Sequence, residues 1–158
     1  MPAIENTTVM TPLRRDAVFT TDHLEAARQG ATVHGWVDGK SGLAAETLLT
    51  DVSIIYDLSP GQRVMVCRIV MGIRTASDSM AAQIGYIDTD GVFRGLASTK
   101  TLKTGAAPEG RQDFESIYHH PLVARYKDGA RRITFKVLAN DANAECDLSW
   151  TGVVEKDI

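Results

Sequence analysis

Residues 130–156 read ARRITFKVLANDANAECDLSWTGVVEK, and two alternations within this stretch decide the fold class. In its first half Ile133, Phe135 and Val137 alternate with Arg132, Thr134 and Lys136; in its second half Cys146, Leu148 and Trp150 alternate with Asp147, Ser149 and Thr151. Successive side chains of a strand point to opposite faces, so each half predicts a strand with one face on a core and one in water. Asn140-Asp141-Ala142-Asn143 lies between them and is rich in turn formers. The simplest expectation is an antiparallel hairpin in which 131–138 pairs with 144–154.

The same period recurs upstream. Over residues 63–74 it predicts a strand with Met65, Cys67, Ile69, Met71 and Ile73 on one face and Val64, Val66, Arg68, Val70 and Arg74 on the other. Residues 81–88 and 92–98 flank Thr89-Asp90-Gly91, a hairpin turn with glycine where a positive φ is needed. Further strands are expected at 31–37 and 48–56, closed by turns at 38–42 and at Ser59-Pro60-Gly61, and Asp128-Gly129 turns the chain before residue 131. Seven or eight short strands without a βαβ rhythm predict an all-β protein, an antiparallel β-sandwich or jelly roll. A single short helix is expected at 22–29, where Asp22 and Glu25 form a cap and Gly30 supplies the stop.

Two segments stand outside this pattern. Residues 1–20 carry Ile4, Val9, Met10, Leu13, Val18 and Phe19 at irregular spacing, broken by Pro2 and Pro12. They read as an extended N-terminal arm, lying over its own domain or reaching a neighbouring subunit, ahead of a single sandwich domain at 21–158. Candidate partner contacts on the arm are Ile4, Val9, Met10, Leu13, Arg14 and Arg15. Residues 99–116 are poor in apolar side chains and carry glycines and a proline, so they read as a long loop. That loop is either a contact surface or a crossover between the two sheets, and Lys100, Lys103 and Arg111 are its candidate partner-binding residues.

Composition bounds the function. The chain has 158 residues, 17 Lys and Arg against 20 Asp and Glu, 44% hydrophobic residues and 23% charged ones. These values belong to an ordinary globular domain and exclude a disordered tail, a collagen or a coiled coil. A formal net charge of −3 supplies no global basic field, so nucleic acid is not an expected partner. The N-terminus lacks the features of a secretory signal and no window is apolar enough for a membrane span, so synthesis in a cytoplasm and no membrane partner are expected.

No catalytic constellation is present: no Gly-x-Ser-x-Gly, no phosphate-cradling glycine loop, no His-Glu-x-x-His. Cys67 and Cys146 sit in apolar runs and read as buried thiols. His119-His120 would point to opposite faces of a strand, and Asp88–Gly91 lacks the further ligands of a calcium loop. The expectation is no catalytic residue, no metal and no cofactor. Trp150 shares the face of Leu148 and reads as core; Trp36 is open between core packing and a sugar-stacking platform.

The arm, the one short capped helix, the turn-rich sandwich and the ending at 130–156 resemble the small β-sandwich or jelly-roll decoration (cement) proteins of tailed bacteriophage capsids. The resemblance implies a non-enzymatic virion structural protein, located on the capsid surface. It implies a homotrimer at local threefold axes that binds the major capsid protein lattice and bridges capsomers. That family has no invariant motif, so no residue role follows from it. A second class, a carbohydrate- or receptor-binding sandwich such as a tail-fibre tip or lectin-like module, fits the same layout.

Overall fold

The computed structural model describes residues 31–157 except 109, together with two short strands nearer the N-terminus. Those two, β1 (Thr7–Val9) and β2 (Arg14–Asp16), pair antiparallel with Val9 opposite Arg14, so this part of the arm doubles back on itself. Ile4, Met10, Leu13 and the helix expected at 22–29 lie outside the described residues.

From residue 31 onward the chain is built of strands. They are β3 (Ala31–Lys40), β4 (Thr47–Leu48), β5 (Tyr56–Asp57), β6 (Gln62–Ile73), β7 (Ser79–Ile87), β8 (Phe93–Gly95), β9 (Lys100–Lys103), β10 (Gln112–Arg125), β11 (Arg132–Ala139) and β12 (Cys146–Lys156). One 3-10 turn at Tyr126–Asp128 ends at Gly129, whose φ of 102° places it in the left-handed region that glycine adopts without strain. One sheet has the order β10-β6-β12-β3; the other runs β4-β11-β7-β8, with β5 also on β11 and β9 also on β7. All pairings are antiparallel.

Followed along the chain, the strands change sheet at every stage: β3 in the first, β4 and β5 in the second, β6 in the first, β7 to β9 in the second, then β10, β11 and β12 alternating again. An antiparallel sandwich wound this way is a jelly roll. Its two inner faces close on one core that includes Val64, Val66, Met71, Ile84, Phe135 and Trp150.

The winding corrects the hairpin expected at 130–156. Ile133, Phe135, Val137, Leu148 and Trp150 are all buried, as the alternation requires. Yet β11 and β12 do not pair: β11 lies between β7 and the short strands β4 and β5, and β12 lies between β6 and β3. Residues 140–145 carry the chain from one sheet to the other. Alternation reports which face of a strand is buried, and both a hairpin and a sandwich corner satisfy it.

A second correction falls in β6. Thr151 pairs with Arg68 but Gly152 pairs with Val66, so Cys67 is an extra residue, a β-bulge. One added residue exchanges the faces. The inward side chains are therefore Val64 and Val66 before the bulge and Ile69, Met71 and Ile73 after it, while Met65 is only half-buried. Gly152 sits opposite the bulge, where a Cβ would lie 2.6 Å from the Met65 carbonyl oxygen.

The strand expected at 48–56 is instead two two-residue strands around a turn. The Ile54 and Ile55 amides both donate to the Asp51 carbonyl, which curls the chain and inserts Ile54 into the core. The long loop expected at 99–116 is half strand: β9 binds β7, and β10 begins at Gln112. Only residues 104–111 cross between the sheets, and Thr104 anchors them, its hydroxyl donating to the Thr75 carbonyl at 2.6 Å.

Candidate functional site

The outer face of the four-stranded sheet carries polar, charged and exposed apolar side chains together. Across it, register sets the side chains in rows. Asp113, Gly72 and Asp147 lie abreast; then Glu115, Val70, Ser149 and Trp36; then Ile117, Arg68, Thr151 and His34. His34 Nδ1 lies 3.3 Å from Thr151 Oγ1, and Arg68 pairs with Glu115 across β6 and β10.

At the end nearest the β3–β4 turn, a charged network forms. Asp147 is its hub: the Gly39 amide donates to Oδ1 at 2.7 Å, Arg74 reaches both oxygens at 2.6 and 3.2 Å, and Arg111 approaches Oδ2 at 3.4 Å. Arg111 also donates to Asp113 Oδ2 at 3.1 Å, and Asp38 lies 3.4 Å from Arg74. The hydrogen bond that Arg74 donates to Asp147 holds its pKa above the ordinary value, and the one that Arg111 donates to Asp113 does the same for Arg111. Both guanidiniums are fixed charges.

Beside this network lies a groove of about 320 Å³, bordered by Trp36, Asp38, Val70, Gly72, Arg111, Asp113, Asp147 and Ser149. Trp36 is 50% exposed. Trp150, one strand away, is buried and donates its indole N–H to the Ile54 carbonyl at 2.7 Å. The two tryptophans thus occupy opposite faces of the sheet, and Trp36 is not a core residue. Further along the face Ile117 is 64% exposed and Val123 is also exposed.

The sequence-derived contact residues are not gathered into one site. Lys100 and Lys103 lie on β9 of the second sheet, Lys100 with its ammonium 4.5 Å from the Phe114 ring centre. Arg111 belongs to the groove on the first sheet. Val9, Arg14 and Arg15 lie in β1 and β2. The groove itself was not assembled by sequence reading, because Trp36, Asp113 and Asp147 come from three distant strands; the one signal was Trp36 in an alternating strand.

His119 and His120 are exposed in a wide bulge of β10, where residues 118–121 stand against Cys67 alone. Asp88 makes a plain turn: its carboxylate accepts from the Asp90 and Val92 amides and from Arg94. Among the described residues no cluster of three or more His, Cys, Asp or Glu side chains is placed to hold a metal ion, and no helix is long and apolar enough to cross a membrane. Cys67 and Cys146 are both free thiols.

The architecture defines the chain as an antiparallel jelly-roll protein. No family model and no curated protein matches its sequence. Among solved structures it is similar to infectious bursal disease virus, Gx strain, at 10% identity and a TM-score of 0.42 over 80% of this chain and 31% of that one. It is also similar to the VP2 subviral particle of the same virus, at 10% identity and a TM-score of 0.41 over 79% of this chain and 33% of that one. The tobacco streak virus coat protein matches at 11% identity and a TM-score of 0.38, over 80% of this chain and 87% of that one. The chain spans about a third of the length of the infectious bursal disease virus chains.

Proposed function

We propose that this chain is a non-enzymatic structural protein of a virion, a decoration protein that sits on the capsid surface and ties neighbouring capsomers together. One observation carries the reading: among the described residues the two sheets close on one apolar core, which leaves the outer faces and the arm as the surfaces that meet a partner. Jelly rolls serve several functions, and the choice among them rests on the surface and the arm.

The arm supplies the contacts. Ile4, Val9, Met10 and Leu13, flanked by Arg14 and Arg15, are more apolar than an exposed tail needs. Burying such side chains contributes about 25 cal/mol per Å² before the cost of ordering the arm. Lys100 and Lys103 add polar contacts at the rim, and a homotrimer presents three arms at once. Repetition over a shell multiplies modest contacts into firm attachment. No cofactor or nucleic acid enters this reading.

The test is co-sedimentation with capsids assembled from the major capsid protein encoded in the same genome, using the full chain and one lacking residues 1–15. The full chain is expected to pellet with the shells, and the shortened chain to bind at least tenfold more weakly. A full chain that stays in the supernatant, or a shortened one that binds equally well, overturns the proposal.

A further inference from the structure

We infer that the groove beside Trp36 is a carbohydrate-binding subsite for a neutral pyranoside of one or two rings. This goes beyond the role proposed above and stands or falls separately from it, because it rests on residues outside the arm.

The first argument is the platform. Trp36 projects from an edge strand on the outer face, half-exposed, while the core is completed by Trp150 on the opposite face. An indole held by a rigid strand offers a flat apolar surface with few rotamers to lose on binding. A pyranose presents a matching patch, the C–H groups of one ring face, and a rim of hydroxyls around it.

The second argument is what surrounds the platform. Hydroxyls need planar acceptors and donors, and the groove walls supply Asp38, Asp113 and Arg111. Asp147 is spent within the protein, with partners on both oxygens. Asp113 is not: Arg111 occupies Oδ2, and the carboxylate is 54% exposed. Gly72 makes room for it, since a Cβ there would collide with Asp113 Oδ1. That oxygen therefore lies over the bare backbone of β6, at the groove floor. Arg111, locked against Asp113, is oriented by the pair and not left to wander, which reduces the ordering cost of binding.

The third argument selects the ligand. Around the groove stand Asp38, Asp113, Glu115 and Asp147 against Arg68, Arg74 and Arg111, and the arginines are each paired with one of these carboxylates. No unpaired positive charge remains among them to attract sulfate, phosphate or sialic acid, so a neutral sugar is favoured over an anionic one. A volume of about 320 Å³ is at the low end of small-molecule sites and fits a short saccharide. One such subsite binds weakly; many copies on one particle would bind a glycan-coated surface firmly.

The experiment uses the full chain, with lactose, cellobiose and chitobiose as neutral probes and sialyllactose and a heparin fragment as charged ones. Calorimetric titration is read together with tryptophan emission. At least one neutral probe is expected to bind and to shift the emission of the exposed tryptophan, with Trp36→Ala and Asp113→Asn each weakening binding at least tenfold. Val92→Ser, an exposed residue in the β7–β8 turn of the other sheet, should bind like the parent, and thermal melting should show all three variants folded. Absence of binding by every neutral probe at about 10 mM, where even a weak site of Kd near 1 mM is occupied, overturns the inference. So do binding that survives Trp36→Ala, tighter binding of a charged probe, or self-association in sedimentation that Trp36→Ala abolishes.

Discussion

Replacing Trp150 by alanine is the most severe single truncation that the core offers, and its cost follows from two contacts. The indole is 1% exposed, and truncating a large buried aromatic costs about 3–5 kcal/mol. The indole N–H also satisfies the Ile54 carbonyl at 2.7 Å, and leaving a buried polar group unpaired costs about 1–3 kcal/mol more. The cavity has little means of closing. The ring lies against Gly35 of β3, which has no side chain to fill the space. The sum, about 4–8 kcal/mol, is comparable to the whole stability of a typical domain, about 5–15 kcal/mol. Urea unfolding followed by circular dichroism should show Trp150→Ala largely unfolded or its midpoint far to the left of the parent's. Trp36→Ala is the internal control: a half-exposed surface residue should change stability by no more than about 0.5 kcal/mol. If Trp150→Ala loses less than about 1 kcal/mol, or if both variants lose alike, the assignment of the two tryptophans to opposite faces is wrong.

Three further outcomes are expected. Gly152→Ala forces a Cβ onto the Met65 carbonyl and should cost about 1–3 kcal/mol in a urea melt, whereas in Gly72→Ala the Cβ meets the exposed Asp113 carboxylate, a side chain and not backbone, and the substitution should cost clearly less. The Asp88 pKa is lowered, chiefly by the Val92 amide and next by Arg94, so its contribution is present above the ordinary carboxylate range and lost as pH falls through the lower folded value. Melting temperature should therefore drop below about pH 4, and Asp88→Asn should flatten that part of the profile while lowering stability at neutral pH. Burial pushes the Cys146 thiol up to about 11, so a thiol reagent at pH 8 should label at most Cys67 in the folded protein and both cysteines once it is unfolded.

Strand existence and burial were legible wherever an uninterrupted period of two ran for six or more residues, as at Ile133–Phe135–Val137 and Cys146–Leu148–Trp150. Sheet membership was not, because β11 and β12 carry the same pattern whether they pair beside one another or face one another across the core. The face of Met65 was misread because a single bulged residue, Cys67, leaves no mark in a hydrophobic pattern while reversing everything before it. Residues 48–56 look like a strand in composition, yet two amides converging on the Asp51 carbonyl turn the segment into a loop that plugs the core with Ile54. The groove was the least visible feature. Its lining comes from β3, β6, β10, β12 and the crossover before β10, and only the register of the sheet places Asp113, Gly72 and Asp147 side by side.

If this jelly roll works as the surface component of a shell proposed above, it is visible on the shell itself. An electron cryomicroscopy reconstruction of capsids saturated with the full chain tests it most directly. The expected result is a layer of jelly-roll density on the outer surface, in clusters of three at the junctions of capsomers, with residues 1–20 running onto a neighbouring subunit and the Trp36 groove facing outward. Shells whose reconstruction is indistinguishable from that of undecorated capsids, or density whose contact with the shell does not involve the arm, would contradict it.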